Sequence, residues 1–177
     1  MAKNIVLIGY RTTGKTTVGR LIAQRLGWEF VDTDVLIEQQ AKKSIAEIVA
    51  QEGWQGFRRR EKEVIAEVSA KENMVIAVGG GAVINTENVK NLKQNGILIW
   101  LKANADTIAK RLLKDKKTAS QRPSLTGKSV VEEIEEVLRE RLPLYQQAAD
   151  IEVDTERYSP EEIASLIIKN LEMNTIL

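Results

Sequence analysis

The residues Gly9 to Thr17, GYRTTGKTT, fit the spacing G-x-x-x-x-G-K-[ST], with Gly9, Gly14, Lys15 and Thr16 at the fixed positions. An apolar run precedes this stretch and a helical pattern follows it. A loop between a buried strand and a helix directs several backbone N–H groups and the positive end of the helix dipole toward one point. The stretch therefore predicts a site for nucleotide phosphates, where Lys15 contacts the β- and γ-phosphates and the Thr16 hydroxyl binds Mg²⁺. The alternative, a chance match in a glycine-containing turn, is disfavoured by the flanking strand and helix.

Two acids, Asp32 and Asp34, follow the second predicted strand, WEFVD. Residues two apart in extended chain place their side chains on the same face, so one carboxylate could serve a metal and the other a substrate. Transfer of a phosphoryl group needs an acceptor hydroxyl to be oriented and relieved of its proton, and a carboxylate beside the loop can do both. The alternative is that these acids only cap the helix that follows, since Asp is a preferred N-cap residue.

An arginine cluster, Arg58 to Arg60, lies in a predicted helix. Arg58 follows Trp54 by four residues, so the two share a helix face and place an aromatic wall beside a guanidinium. This pair suits a small anionic ligand, because Arg binds a carboxylate through two parallel hydrogen bonds. Arg59 and Arg60 are expected to be solvated.

Three consecutive glycines, Gly79, Gly80 and Gly81, directly follow another apolar strand, MVIAV. Because each glycine loses much conformational freedom on folding, the run predicts close approach of the main chain to a ligand, or unusual dihedral angles. A plain tight turn is the alternative.

Arg141 continues the apolar stripe of Ile134, Val137 and Leu138 on a predicted helix. A charge on a buried stripe needs a partner, so Arg141 is expected to contact an anionic ligand or an acid. The alternative is an arginine whose charged end reaches solvent at the helix end. Arg139 is turned away from this stripe, and Arg122 lies in a polar stretch that could close over the phosphates.

Strands alternate with helices along the chain, which predicts an α/β fold with about five parallel strands and helices on both faces. Ligands of such sheets bind outside the carboxyl ends of the strands, so the loop, the two acids and the glycines should meet at one edge. We expect one domain over residues 1–177, with a helical substrate-binding insertion at about 33–72 and a mobile lid at about 114–128.

Composition excludes several classes of chemistry. The chain has no Cys and no His, so thiolate chemistry and imidazole bases are excluded. Lys and Arg total 26 against 25 Asp and Glu, so no nucleic acid or membrane partner is indicated. Neither a signal peptide nor an apolar run long enough to span a bilayer is present, and a cytoplasmic location is expected.

Taken together, these motifs resemble those of the shikimate kinase family. The resemblance covers nearly the whole chain and rests on the order and spacing of the motifs. They are the phosphate loop, Asp32-Thr33-Asp34, Trp54-x-x-Phe57-Arg58, Gly79-Gly80-Gly81, Arg122-Pro123-Ser124-Leu125 and Arg139-Glu140-Arg141-Leu142-Pro143-Leu144-Tyr145.

The resemblance implies a P-loop kinase that transfers the γ-phosphoryl group of Mg·ATP to the 3-hydroxyl of shikimate. Lys15, Asp34 and Arg122 would be catalytic, while Thr16 and Asp32 would hold Mg²⁺. The shikimate carboxylate would be bound by Arg58 and Arg141, and the ring hydroxyls by Asp34 and the backbone of Gly79, Gly80 and Gly81. ATP would be bound by Thr12, Thr13, Gly14, Lys15, Thr16, Thr17, Arg122 and Arg157, the last lying over adenine.

The chain departs from the family pattern at Thr12, where the family usually has Gly, so positive φ there would be strained. A gluconate or nucleoside monophosphate kinase, or an ATP-binding regulatory relative without turnover, stays open as an alternative. Shikimate and ATP are the expected partners, and a monomer is expected.

Overall fold

The sheet has five parallel strands in the order β2-β3-β1-β4-β5. The computed structural model describes residues 2–114 and 129–174. The strands are β1 (Asn4–Ile8), β2 (Glu29–Asp32), β3 (Met74–Ala77), β4 (Gly96–Lys102) and β5 (Ile151–Asp154). The predicted parallel sheet is therefore confirmed.

Seven α-helices lie in the described ranges: α1 (Lys15–Leu26), α2 (Thr33–Ala41), α3 (Ile45–Ser69), α4 (Thr86–Asn95), α5 (Ala105–Lys114), α6 (Val130–Ala148) and α7 (Pro160–Met173). Serine side chains cap three of them: Ser44, Ser129 and Ser159 each accept a hydrogen bond from the backbone N–H three residues on. Because these hydroxyls satisfy amides that have no partner within the helix, they fix the helix starts.

Gly53 interrupts α3 with φ 71° and ψ 177°, outside the helical region. The sequence predicts two helices here, the second starting at about Trp54, and the break at Gly53 confirms this. The two helical parts of α3 meet at this glycine, which adopts positive φ without the steric cost of a side chain. The second part carries Arg58.

Side chains of β1 alternate between two apolar cores. Ile5 and Leu7 pack with residues of α1 and α7 on one face of the sheet. Val6 and Ile8 pack with residues of α3, α4 and α6 on the other face. Helices on both faces bury both sides of the strand, which explains why β1 is a continuous apolar run.

The carboxyl ends of β1, β2 and β3 lead into the phosphate loop, Asp32 and the three glycines. In a parallel sheet these ends lie at one edge, as predicted. The predicted lid lies outside the described residues, apart from Lys114 at the end of α5, and so does Arg122. Within residues 2–114 and 129–174, no helix combines the length and apolar character that crossing a membrane requires.

Candidate functional site

The phosphate loop takes its shape from three residues with positive φ. These are Gly9 at 140°, Thr12 at 62° and Gly14 at 95°. A Cβ atom on Gly9 would lie 2.6 Å from the Leu101 carbonyl oxygen, so only glycine fits there. Thr12 occupies the left-handed region despite its branched side chain, which confirms the strain predicted at this position.

Arg111 of α5 supports the strained part of the loop. Its Nη1 donates hydrogen bonds to the Thr12 carbonyl oxygen at 3.2 Å and to Thr155 Oγ1 at 3.3 Å. Thr155 in turn donates to the Lys102 carbonyl oxygen at 2.8 Å, which joins the loop to the ends of β4 and β5. The sequence analysis missed Arg111, although it follows the buried Ile108 by three residues and so lies beside the apolar stripe of α5.

Lys15 lies within the loop. Its Nζ donates to the carbonyl oxygens of Gly9 and Tyr10, both at 2.7 Å. The ammonium group is therefore held at the loop by the backbone, beside the first turn of α1.

Asp32 caps a helix and also contacts Thr16. Its Oδ1 accepts hydrogen bonds from the N–H groups of Asp34 and Val35, at 2.9 and 3.3 Å, and thus caps α2. Its Oδ2 accepts a hydrogen bond from Thr16 Oγ1 at 3.1 Å. One carboxylate oxygen is structural and the other joins the predicted metal-binding hydroxyl.

We call the larger of two adjoining cavities the phosphate-loop cavity; it encloses about 1180 Å³, including space open to solvent. Its lining residues are Arg11, Thr12, Gly14, Lys15, Thr16, Thr17, Asp32, Asp34, Val35, Glu38, Ile45, Ala77, Val78 and Arg111. The side chain of Thr13 is buried and donates to the Tyr10 carbonyl oxygen at 2.8 Å, and its expected part in nucleotide binding stays a prediction. Its side chain therefore braces the loop from within.

Thr16 and Asp32 offer the donor set that Mg²⁺ uses in nucleotide sites. Magnesium keeps several waters and takes only one or two protein oxygens besides substrate phosphates. Within the described part of the chain, no group of three or more His, Cys, Asp or Glu residues that could hold a metal ion occurs. The residues present therefore fit a magnesium ion brought with a nucleotide.

Asp34 lies in the first turn of α2, so the extended conformation predicted from Asp32 to Asp34 is wrong: the helix already begins at Thr33. Both acids nevertheless line the phosphate-loop cavity. Asp34 is 7% exposed and its Oδ1 lies against Gly79, 2.9 Å from where a Cβ atom would be. Asp34 also lines a second cavity, beside the three glycines.

The second cavity, which we call the triglycine cavity, encloses about 470 Å³, including space open to solvent. Its lining residues are Tyr10, Arg11, Asp34, Ile45, Trp54, Phe57, Arg58, Glu61, Gly79, Gly80, Gly81 and Arg141. The predicted substrate residues are thereby brought together. The smaller space and two walls of aromatic and cationic side chains suit a small organic anion.

Arg58 is held by aromatic rings and by one acid. Its Cζ lies 5.7 Å from the ring centre of Trp54 and 5.2 Å from that of Phe57. Its Nη1 donates to Glu61 Oε1 at 2.9 Å. The predicted shared face of Trp54 and Arg58 is confirmed, and these contacts fix the guanidinium beside the cavity.

The three glycines are required for space rather than for dihedral angles, because none of them has positive φ. A Cβ atom on Gly81 would lie 2.3 Å from Arg58 Nη2. One on Gly80 would lie 3.3 Å from Arg141 Nη1. One on Gly79 would lie 2.9 Å from Asp34 Oδ1, so the side chains that line the cavity lie close to all three glycines.

Arg141 is 8% exposed on the buried stripe of α6 and lines the triglycine cavity, as predicted. Its Cζ lies 5.9 Å from the ring centre of Tyr10. One turn later, the Tyr145 hydroxyl donates to the Gly80 carbonyl oxygen at 2.5 Å. Burial raises the pKa of Tyr145 to about 12, so the hydroxyl stays protonated and keeps donating this bond.

Glu61 is a second buried acid that the sequence analysis missed. Its side chain is 1% exposed, and burial raises its pKa despite the opposing charge of Arg58. Its Oε2 has no hydrogen-bond partner among the described residues and lies 3.0 Å from where a Cβ atom on Gly79 would be. The signal was present, since Glu61 follows Phe57 by four residues and thus shares its buried face.

The remaining predicted arginines fall outside the two cavities. Arg59 is 66% exposed and pairs with Glu52, which also pairs with Arg60. Arg157 is 77% exposed and pairs with Asp154 at 3.4 Å. Its expected contact with adenine stays a prediction, and Arg122 lies outside the described residues.

Comparisons with known proteins agree on one family. Residues 11–172 match the sequence profile described as shikimate kinase. The chain is 46% identical to shikimate kinase 2 of Yersinia enterocolitica over 95% of each protein. It is 45% identical to the shikimate kinase of Thermodesulfovibrio yellowstonii, over 96% of this chain and 95% of that one. The solved structure of Acinetobacter baumannii shikimate kinase in complex with shikimate superposes with a TM-score of 0.90, at 33% identity, over 100% of this chain and 97% of that chain.

Proposed function

The chain belongs to the shikimate kinase family, and we propose that it transfers the γ-phosphoryl group of Mg·ATP to the 3-hydroxyl of shikimate, giving shikimate 3-phosphate and ADP. It is thus an ATP-dependent kinase. One observation carries the assignment of the site: the buried carboxylate of Asp34 lines both the phosphate-loop cavity and the triglycine cavity. A phosphoryl group that moves from one cavity to the other must pass it.

The phosphate-loop cavity is the ATP site in this proposal. Backbone N–H groups of the loop and the start of α1 bind the phosphates, and Lys15 contacts the β- and γ-phosphates once it exchanges a loop carbonyl for them. Thr16 and Asp32 would hold Mg²⁺, which would supply positive charge to neutralise the phosphates. Arg111 holds the Thr12 carbonyl and thereby keeps the loop open around the phosphates.

The triglycine cavity is the shikimate site. Arg58 and Arg141 bind the carboxylate, since both guanidinium groups line this cavity and lie against the adjacent glycines Gly81 and Gly80. The backbone of Gly79, Gly80 and Gly81 contacts the ring hydroxyls. Trp54 and Phe57 exclude water from the apolar face of the ring.

Asp34 acts as the base in this proposal. It accepts a hydrogen bond from the 3-hydroxyl, orients the oxygen toward the γ-phosphorus, and takes the proton as the new P–O bond forms. The bond from that phosphorus to the ADP oxygen breaks in the same step. Most of the rate acceleration then comes from positioning and from neutralised charge. Arg122 as a cation of the lid remains a prediction of the family pattern.

The test is ADP release from Mg·ATP with purified protein, offered shikimate, quinate, gluconate and AMP in parallel. We expect release that depends on shikimate and is weak or absent with the other three. Release that depends on gluconate or AMP would assign the triglycine cavity to another acceptor, and ATP binding without release would indicate a regulatory relative. A monomeric state and a cytoplasmic location stay predictions.

A further inference from the structure

The two cavities share three lining residues: Arg11, Asp34 and Ile45. Asp34 is the acid at this boundary and Ile45 is apolar, so Arg11 supplies the positive charge. Among the described residues, it is the only cation that lines both cavities. The boundary is the place that a transferring phosphoryl group must cross, so this inference rests on the proposed function.

Arg11 is held by contacts on two sides. Its Nη2 lies 3.6 Å from Glu133 Oε1, with side chains that are 17% and 4% exposed. Its Cζ lies 5.7 Å from the ring centre of Tyr10. Glu133 belongs to the first turn of α6, so the loop residue is fixed by an acid from a distant part of the chain. A guanidinium has five N–H donors, and an ion pair through one terminal nitrogen leaves others to face the cavities.

The other cations of the site have different positions. Lys15 lines only the phosphate-loop cavity and binds loop carbonyls, while Arg58 and Arg141 line only the triglycine cavity. The charge that develops on the equatorial oxygens of the phosphoryl group lies between these two sets. A cation at the boundary of the two cavities would lie beside the oxygens on which this charge develops.

We propose that Arg11 is a catalytic residue that contacts the transferring phosphoryl group from the side of the phosphate loop, and that Glu133 positions it. Arg11 stays protonated throughout. The hydroxyl proton goes to Asp34, the new P–O bond forms at the acceptor oxygen, the bond to ADP breaks, and Arg11 neutralises the oxygens that carry the charge between them.

The competing explanation is structural: Arg11 would only neutralise the buried Glu133. Three variants separate the two explanations, namely Arg11→Met, Glu133→Gln and the double variant. Arg20→Met is the matched control, because Arg20 is an exposed arginine whose Cζ lies 5.7 Å from the ring centre of Phe30 and which lines neither cavity.

We expect Arg11→Met to lower kcat by about a hundredfold or more, with the KM for shikimate and the Kd for ATP changed by less than about threefold. The double variant should recover much of the thermal stability lost in Arg11→Met, because the Glu133 charge that Arg11 offsets is removed with it, and should keep the low kcat. Arg20→Met should match the wild type. If Arg11→Met does not fold, kcat of the double variant tests the role of Arg11, because Arg11 is absent there as well.

A second measurement reports contact with the phosphoryl group directly. ADP with aluminium fluoride imitates the transferring group, so its ternary complex with shikimate should be at least about tenfold weaker in Arg11→Met than in the wild type. Recovery of kcat in the double variant, or an unchanged ternary complex, would overturn the role of Arg11. A wild-type protein that releases no ADP with shikimate would instead overturn the proposed function, and this assignment with it.

Discussion

The phosphate-loop cavity and the triglycine cavity adjoin each other but are built in opposite ways. The loop is shaped by its backbone, through positive φ at Gly9, Thr12 and Gly14. The triglycine cavity is shaped by side chains from α2, α3 and α6 that converge on a backbone without unusual dihedral angles. A backbone-built site is specified by one short stretch of sequence, whereas a side-chain-built site exists only once distant elements have packed.

Asp34 belongs to both regions, so its substitution should have the largest effect. We expect Asp34→Asn to lower turnover by about 10²- to 10⁴-fold, because the amide cannot take the hydroxyl proton. ATP should still bind with a Kd within about threefold of the wild type, which calorimetry can measure. Glu63→Gln, an exposed acid on α3, is the control. Near-normal turnover of Asp34→Asn would remove it from the role of base.

The side-chain-built cavity should be sensitive to loss of either arginine. We expect Arg58→Ala and Arg141→Ala each to raise the KM for shikimate by about 10- to 100-fold, since a hydrogen bond to a charged group contributes about 1.5–3 kcal/mol. The KM for ATP should change little. Arg59→Ala is the control, because Arg59 lies on the same helix and is 66% exposed. Equal losses with the methyl ester of shikimate would show that the arginines do not contact the carboxylate.

Strain should be found in the backbone-built region. We expect Thr12→Gly to raise the free energy of unfolding by about 1 kcal/mol, because it relieves a branched residue at φ 62°. For a chain of this size that corresponds to about 2–4 °C in Tm. Asn73→Gly is the matched control, since Asn73 also has positive φ, at 59°, but Asn tolerates this region. Equal shifts in the two variants would show that Thr12 is not strained.

The buried acid of the triglycine cavity should give a smaller, pH-dependent effect. Burial raises the pKa of folded Glu61 above its ordinary value of 4.5. Protonated Glu61 therefore contributes to the free energy of unfolding. This contribution is complete below pH 4.5 and is lost as the pH rises through the pKa of the folded state. Relative to the wild type, Glu61→Gln should become more stable as the pH rises above 4.5, as measured by urea unfolding at a series of pH values. A pH-independent difference would contradict the raised pKa.

The same contrast explains what could be predicted from the sequence. The phosphate loop and the order of the motifs along the chain are local signals that the sequence shows directly. The strain at Thr12 could be predicted from the type of that one residue. Arg141 could be placed because periodicity fixes which helix face is buried.

What the sequence did not reveal were contacts between elements. Nothing near Arg11 indicates that Glu133, far along the chain, pairs with it. The extended backbone predicted between Asp32 and Asp34 was wrong, because α2 already begins at Thr33. Arg157 was assigned from the family pattern alone, and its exposed side chain leaves that role a prediction.

The contact between Gly81 and Arg58 also constrains how this protein can evolve. A Cβ atom at Gly81 would lie 2.3 Å from Arg58 Nη2, so a side chain acquired there would displace the guanidinium. Because Nη2 is the far end of a flexible side chain, such a substitution would change the position of the charge rather than the fold. Variation at Gly81 is therefore coupled to the place of Arg58 in the triglycine cavity. A lineage that keeps the Arg58 guanidinium against this backbone must keep glycine at position 81.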